Sequence, residues 1–128
     1  MKRVVFVSRE KDQFTELEQM LSRYHVTPEW TGTGNGLLSL LSNTPKGEWI
    51  DLMVMEAALP DTDAVSLIRD VIPRSPMTNC VVAGTMEKKE FHDTFEGYGV
   101  LMQLPPRPAA EDARDLEAHL EKIGAVTR

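Results

Sequence analysis

Residues 51–67 read DLMVMEAALPDTDAVSL and hold three patterns in direct succession. The apolar run at 50–55 (IDLMVM) is typical of a strand that is buried on both faces of a parallel sheet. A loop at 56–63 follows and ends in Asp63, a favoured residue at the start of a helix. One face of that helix is then marked by Ala64, Leu67, Ile68 and Val71.

The same alternation of strand and helix patterns runs through the rest of the chain. Predicted strands lie at 4–7, 25–31, 50–55, 79–83 and 100–103. Predicted helices lie at 10–24, 34–41, 64–71 and 87–96, and a terminal helix carries Ala113, Leu116, Leu120 and Ile123 on its inner face. Such alternation favours right-handed crossovers and a parallel sheet. We therefore expect an α/β fold, a flavodoxin-like doubly wound (βα)5 three-layer sandwich with strand order 2-1-3-4-5.

The composition is that of one globular domain. The 128 residues are 41% hydrophobic and 27% charged, and we expect a single domain over residues 1–128 with no output domain. A net charge of −6 argues against a nucleic-acid surface. No apolar stretch approaches the ~20 residues that cross a bilayer, so no membrane association is expected. Cys80 alone forms no internal disulfide, and we expect a cytoplasmic protein.

The predicted strand order also locates a site. In a sheet of this order, ligands bind where strands 1 and 3 diverge, at the carboxyl ends of the strands. The loops at this point begin at Ser8 and at Glu56. Both residues are polar, as a binding site requires.

Several ordered motifs resemble one known family over essentially the whole chain. The third strand and its loop carry Leu59-Pro60 and Asp63, with Ala64 where the family has glycine. Further matches are KRVVFV at 2–7, Gly97 before the fifth strand, and Leu104-Pro105 where the family has Lys-Pro. The chain resembles the receiver domain of bacterial response regulators in two-component phosphorelay signalling.

The resemblance implies a phosphorylation site whose residues differ here. In the family, an aspartate after strand 3 accepts a phosphoryl group, two acids after strand 1 hold Mg²⁺, and a hydroxyl, an aromatic and a lysine complete the switch. The acceptor position falls on Glu56 and the acid pair on Ser8 and Arg9, with Glu10 next to them. The remaining positions fall on Gly84 or Thr85 for the hydroxyl, Leu101 for the aromatic, and Leu104 before Pro105 for the lysine.

These differences predict that Mg²⁺ binding is lost and that no cofactor is needed. A unit-charge pair at about 4 Å and an effective dielectric of ~20 is worth roughly 4 kcal/mol. A millimolar metal site has only about 4 kcal/mol to lose. Arg9 in place of an acid therefore abolishes the metal site unless its side chain points away and Glu10 substitutes.

Glu56 has three candidate roles. It is a partner in an ion pair with Arg9, a permanent mimic of a phosphorylated residue, or a solvated carboxylate on a loop. We favour the ion pair, because a mimic needs neighbours that respond to its charge. Leu104 offers no donor, and only Thr85 could supply one.

Two other acidic features are given simpler structural interpretations. Asp61 and Asp63 are predicted to belong to the N-cap region of the third helix. The acidic run at 111–121 is predicted to be the solvated face of the last helix.

The favoured function is a pseudo-receiver, which is not an enzyme and acts by protein contacts without phosphorylation. The partner is a protein such as a histidine kinase or an output protein, or a second copy in a homodimer. The contact face is the fourth helix, fifth strand and fifth helix, with Phe91, Tyr98, Leu101 and Met102.

Two alternatives stay open. A working phosphoacceptor would use Glu56, Asp61 or Asp63. A flavodoxin-like ligand domain would bind a phosphate at TGTGNG (31–36), although we favour a glycine-rich turn into the second helix.

Overall fold

The computed structural model describes residues 1–127 and contains one parallel sheet of five strands in the order β2-β1-β3-β4-β5. The predicted strand order is confirmed. The predicted domain runs to residue 128, which lies outside the described residues. The strands are β1 (Val4–Val7), β2 (Glu29–Thr31), β3 (Leu52–Glu56), β4 (Asn79–Ala83) and β5 (Val100–Leu104).

Helices connect the strands and cover both faces of the sheet, so that the molecule has three layers. They are α1 (Thr15–Ser22), α2 (Gly34–Ser42), α3 (Ala64–Val71), α4 (Lys88–Phe95) and α5 (Ala110–Lys122). Helices α1 and α5 share one core cluster, and α2, α3 and α4 share the other.

The first strand shows why the strands read as unbroken apolar runs. Successive side chains of a strand point to opposite faces, so Val4 and Phe6 enter the α1/α5 core while Val5 and Val7 enter the α2/α3/α4 core. Phe6 is fully buried, and its ring lies 4.7 Å from that of Trp30. Because both faces are covered, no position in the strand is left to be polar.

The second strand is shorter than the predicted segment 25–31. It covers only Glu29–Thr31, because the chain first closes the end of α1. His25 has a φ of 61°, and the N–H of Val26 donates to the carbonyl of Leu21. A left-handed residue followed by such a bond is a usual helix ending, and the chain straightens only after it.

The third strand runs over Leu52–Glu56 and not over 50–55. The Ile50 carbonyl accepts from the Thr78 hydroxyl and not from a strand neighbour. Asp51 bonds through its main chain to Arg3 and Asn79, and its carboxylate accepts from the N–H groups of Lys2 and Arg3. The shift makes Glu56 the last residue of β3 and not the first residue of a loop.

The first predicted helix has a different start. Residues 11–14 form a 3₁₀ turn, and the α-helix begins at Thr15. This turn brings Gln13 into a buried position.

Two predictions about the last helix are wrong. Ile123 follows the end of α5 and is 47% exposed, so it does not extend the inner face. Glu117 is buried and does not belong to a solvated face, because it bonds to Arg23 and Tyr24 of the α1 region.

Candidate functional site

The site predicted at the carboxyl ends of the strands is a crevice between the β1 and β3 ends. Strands β1 and β3 are adjacent and parallel, with Val7 opposite Met55. The next residue on each strand is therefore Ser8 and Glu56, and their side chains meet. The crevice has a volume of about 400 Å³, and its lining includes Arg9, Glu10 and Thr85.

Glu56 is the centre of a compact hydrogen-bond network. It is only 7% exposed. One oxygen, Oε1, accepts from the Ser8 hydroxyl at 2.5 Å, the Arg9 N–H at 2.6 Å and the Gln13 amide at 2.8 Å. The other oxygen, Oε2, accepts from Arg9 Nε at 3.0 Å. The protein thus supplies donors to both carboxylate oxygens, as a buried charge requires.

Arg9 makes the ion pair with Glu56 that the sequence predicts. Its guanidinium lies at the mouth of the crevice, and its side chain is 56% exposed while that of Glu56 is 9% exposed. The positive charge is therefore shared with solvent, whereas the negative charge is enclosed by protein. Loss of the ion pair would therefore leave the Glu56 charge without compensation, whereas water could still solvate the Arg9 guanidinium.

The surroundings of Glu56 act on its pKa in opposite directions. Burial raises the pKa and is the largest single influence. The hydrogen bonds from Ser8 and Arg9 and the charge of Arg9 lower it. Together they outweigh burial, so the pKa of Glu56 lies below its ordinary value of 4.5 and the group is ionised at neutral pH.

Glu10 lines the same crevice and pairs with a second arginine, Arg107. Its Oε2 lies 2.6 Å from Nη2 of Arg107. Arg107 has a φ of 52°, a left-handed conformation uncommon for a residue with a side chain. Both partners of this pair are more than half exposed.

This set of groups does not suit a divalent cation. Mg²⁺ prefers several oxygen ligands that are free to coordinate, but both oxygens of Glu56 are occupied and Glu10 is paired with Arg107. Among the described residues, no three His, Cys, Asp or Glu side chains come together as a metal site.

Gly84 and Thr85, the two candidates for the hydroxyl position, lie directly after β4. The strand ends at Ala83, opposite Glu56, so the next residue is Gly84 and Thr85 lies exposed one residue further on. A Cβ at Gly84 would lie 3.0 Å from the Cβ of Ala57 and 3.4 Å from Oε1 of Gln103. Little room is therefore left there for a hydroxyl-bearing side chain.

The lysine position holds an apolar side chain. Leu104 is 1% exposed and belongs to the α1/α5 core, and the following Pro105 is exposed. Leu101 is half-buried against the same core. These side chains provide packing and no charge or hydrogen bond to the crevice.

The predicted contact face has half-buried side chains that pack on two cores. Met102 packs with Leu101 on the α1/α5 core, whereas Phe91 and Tyr98 pack on the α2/α3/α4 core. The ring of Phe91 lies 4.9 Å from that of Phe95.

The two loop aspartates cap helices, and one of them caps an unexpected helix. Asp63 accepts from the N–H of Ser66 and caps α3, as predicted. Asp61 was predicted to lie in the same cap region, but its carboxylate accepts from the N–H groups of Gly34 and Asn35. It therefore caps α2, which lies beside this loop in space.

The segment at 31–36 forms the predicted turn into α2. Thr33 is its N-cap residue and accepts from the N–H of Gly36. Since Asp61 takes the N–H groups of Gly34 and Asn35, two of the amides that a phosphate would use already bind a carboxylate.

Two glutamines with structural hydrogen bonds, Gln13 at the crevice and Gln103 beside the loop before α4, are absent from the sequence prediction. Gln13 bonds to both Ser8 and Glu56. Gln103 bonds to the backbone of Met86 through both atoms of its amide. Neither has a motif, but a polar residue inside the apolar run VLMQL at 100–104 was an available signal for Gln103.

Solved structures with a similar fold identify the fold of this chain. The signal receiver domain of an HD domain-containing protein from Pseudomonas fluorescens Pf-5 matches with a TM-score of 0.73 and 18% identity, over 97% of this chain and 90% of that one. The chain has the receiver fold.

Two further receiver structures match this fold over nearly their whole lengths. The chemotaxis response regulator CheY4 of Vibrio cholerae matches with a TM-score of 0.75 and 15% identity, over 94% of this chain and 99% of that one. A CheY-like receiver domain protein from Methanospirillum hungatei JF-1 matches with a TM-score of 0.72 and 20% identity, over 98% and 92%.

The likeness to receiver domains is visible in the fold and not in comparisons of the sequence. No protein-family model matches it, and no curated protein matches it. Within residues 1–127, no helix combines the length and the apolar character needed to cross a membrane.

Proposed function

We propose that this chain is a pseudo-receiver, a signalling domain that works through protein contacts and does not accept a phosphoryl group. The observation that carries the proposal is the arrangement of Arg9 and Glu56. The Arg9 side chain and main chain together donate to both oxygens of Glu56, the residue at the acceptor position.

The electrostatics of the crevice support this proposal. Phosphoryl transfer of this kind relies on a metal ion to neutralise the developing charge. Here a guanidinium stands beside the carboxylate at 3.0 Å, and a cation in that place opposes the binding of a second cation. We infer that the ion pair replaces the metal and that the domain needs no Mg²⁺ and no other cofactor.

Asp61 and Asp63, the alternative acceptor candidates, both have structural roles. Asp61 caps α2, and Asp63 caps α3. A carboxylate that is bound to backbone N–H groups is a weaker nucleophile, because these bonds stabilise its charge. This argues against a displaced acceptor and supports the assignment of the chain as a non-enzymatic domain.

The partner in this proposal is another protein, such as a histidine kinase, an output protein or a second copy of the chain. Its contact surface is formed by α4, β5 and α5, where Phe91, Tyr98 and Met102 are partly accessible. The corresponding location is the cytoplasm.

The test is phosphorylation in vitro. The purified chain is incubated with Mg²⁺ and acetyl phosphate, and its intact mass is measured. We expect an unchanged mass, and a stoichiometric phosphoryl adduct would overturn the proposal. Glu56→Gln, Asp61→Asn and Asp63→Asn variants, treated in parallel, would then identify the acceptor, because only the variant at that residue would lose the adduct.

The absorption spectrum of the same sample tests the ligand-binding alternative. A protein without bound flavin has no visible absorbance, and this is the expected result. A flavin spectrum in the purified protein would favour a ligand-binding domain in place of a pseudo-receiver.

A further inference from the structure

Gln103 connects β5 to the loop that precedes α4. The residue lies opposite Val82 of β4 and is half-buried. The N–H of Met86 donates to Oε1 of Gln103 at 2.9 Å, and Nε2 of Gln103 donates to the carbonyl of Met86 at 2.8 Å. One side-chain amide thus satisfies both polar groups of a single backbone residue.

Through Met86, this contact reaches the start of α4. Met86 lies in the loop at 84–87, directly before Glu87, whose carboxylate caps α4. Within Lys88–Phe95, Phe95 is the buried side chain, so packing holds the first turn of α4 only weakly. The start of α4 is positioned by the Glu87 cap, by the partial packing of Met86 and Phe91 on the α2/α3/α4 core, and by the hydrogen bonds of the loop before it.

The loop also leaves space for Gln103. At Gly84, a Cβ would approach Oε1 of Gln103 to 3.4 Å and the Cβ of Ala57 to 3.0 Å. The approach to Oε1 of Gln103 is an ordinary van der Waals contact, whereas the approach to Ala57 is tight. Gly84 is therefore favoured by the close passage of the loop over Ala57, and the Gln103 amide lies beside it without a clash.

We propose that Gln103 is a positioning residue that holds the 84–87 loop and the start of α4 in one arrangement, whatever the charge at residue 56. The proposal rests on the function proposed above, since α4 belongs to the contact face. The donors to Glu56 come from Ser8, Arg9 and Gln13, on the β1 side of the crevice. The amide of Gln103 is neutral and bonds to Met86, in the loop between β4 and α4.

This arrangement has a consequence for signalling. A loop held by an uncharged amide is not expected to respond to a change of charge at residue 56, so α4 presents the same surface to a partner in both cases.

Amide hydrogen exchange of the whole chain tests the role of Gln103. In Gln103→Glu at neutral pH the side chain still accepts from Met86 but cannot donate to its carbonyl, and its charge opposes that oxygen. We expect exchange of the Met86, Lys89 and Glu90 amides to become about ten-fold faster, which corresponds to the net loss of about one hydrogen bond. Gln103→Met lacks both hydrogen bonds, and we expect it to accelerate hydrogen exchange of the same amides.

Glu56→Gln is the matched control, because it removes the charge at the crevice and leaves Gln103 in place. We expect its exchange at Met86, Lys89 and Glu90 to equal that of the wild type. The proposal is overturned if both Gln103 variants leave these amides unchanged, or if Glu56→Gln accelerates them to the same extent. Neither result depends on whether the chain accepts a phosphoryl group, so failure here is distinct from failure of the proposed function.

Discussion

The Glu56 carboxylate and its four donors set the properties of the crevice at the scale of single residues. Glu56 is nearly closed to solvent, so each donor replaces a water molecule that the group has lost. The Arg107–Glu10 pair lies at the same crevice but is largely exposed on both sides. The two ion pairs join the same residue types and differ mainly in burial.

This difference predicts unequal effects of two arginine substitutions. Arg9→Ala removes the only cation bonded to a buried carboxylate in the described part of the crevice, and we expect it to lower the free energy of unfolding by about 1–2 kcal/mol. Arg107→Ala should change it by less than about 0.5 kcal/mol, because exposed ion pairs contribute little. Urea unfolding of both variants measures the difference. Equal midpoints for Arg9→Ala and the wild type would rule out a stabilising pair.

A pH prediction follows from the lowered pKa of Glu56. A carboxyl group whose pKa is lower in the folded than in the unfolded chain stabilises the fold above its unfolded pKa. This contribution is lost as the pH falls from about 4.5 through the lower folded value. We therefore expect wild type to exceed Glu56→Gln in unfolding free energy at pH 7, and the difference to shrink at pH 3. A difference that grows on acidification would contradict the assigned direction.

At the scale of elements, Asp61 links the β3–α3 loop to the start of α2. Its pKa is lowered by the hydrogen bonds from the Asn35 and Gly34 N–H groups. A negative charge at a helix N-terminus also interacts favourably with the helix dipole. The loop after Glu56 is thus attached to a neighbouring helix as well as to α3.

We expect Asp61→Ala to loosen the first turn of α2. The N–H groups of Gly34 and Asn35 lose their acceptor, so their hydrogen exchange should become faster while that of α3 is unchanged. Asp63→Ala is the matched control, since it removes the cap of α3 and should accelerate Ser66 instead. If Asp61→Ala leaves Gly34 and Asn35 unaffected, the cross-loop cap is absent in solution.

At the scale of the whole molecule, two helix layers share one central sheet. Leu67 of α3 is buried in one core and Leu116 of α5 in the other. The strands between them contribute side chains to both cores, so neither layer keeps its support if the other is lost. This arrangement indicates a single cooperative unit.

Cavity-forming substitutions in either layer should therefore destabilise the entire domain. Leu67→Ala and Leu116→Ala are each expected to cost about 2–5 kcal/mol. Their urea transitions are followed by far-UV circular dichroism and by Trp30 fluorescence in a Trp49→Phe background. Trp30 lies on the α1/α5 side, so a Leu67→Ala transition that appears only in circular dichroism would show that the layers unfold separately.

The periodicity of the sequence was sufficient to predict the five strands and the five α-helices, and the sheet order was expected from the doubly wound arrangement. Strands buried on both faces and amphipathic helices leave strong local patterns, and Ser8, Arg9 and Glu56 could be placed together because parallel strands end at one edge. Segment ends were harder to predict. The observed bounds of β2 and β3 differ from the predicted segments 25–31 and 50–55. The turn that ends α1 delays the start of β2, and a bond from the distant Thr78 engages Ile50 before β3 begins.

The sequence by itself determined the receiver-like fold and the juxtaposition of Arg9 with Glu56, since both follow from local pattern and strand order. Only the tertiary structure decided the side-chain partners: Gln13 with Glu56, Asp61 with the start of α2, Glu117 with Arg23, and Gln103 with Met86. Hydrogen bonds between groups far apart in the chain depend on distances of a few tenths of an ångström, and residue spacing does not encode distances on that scale.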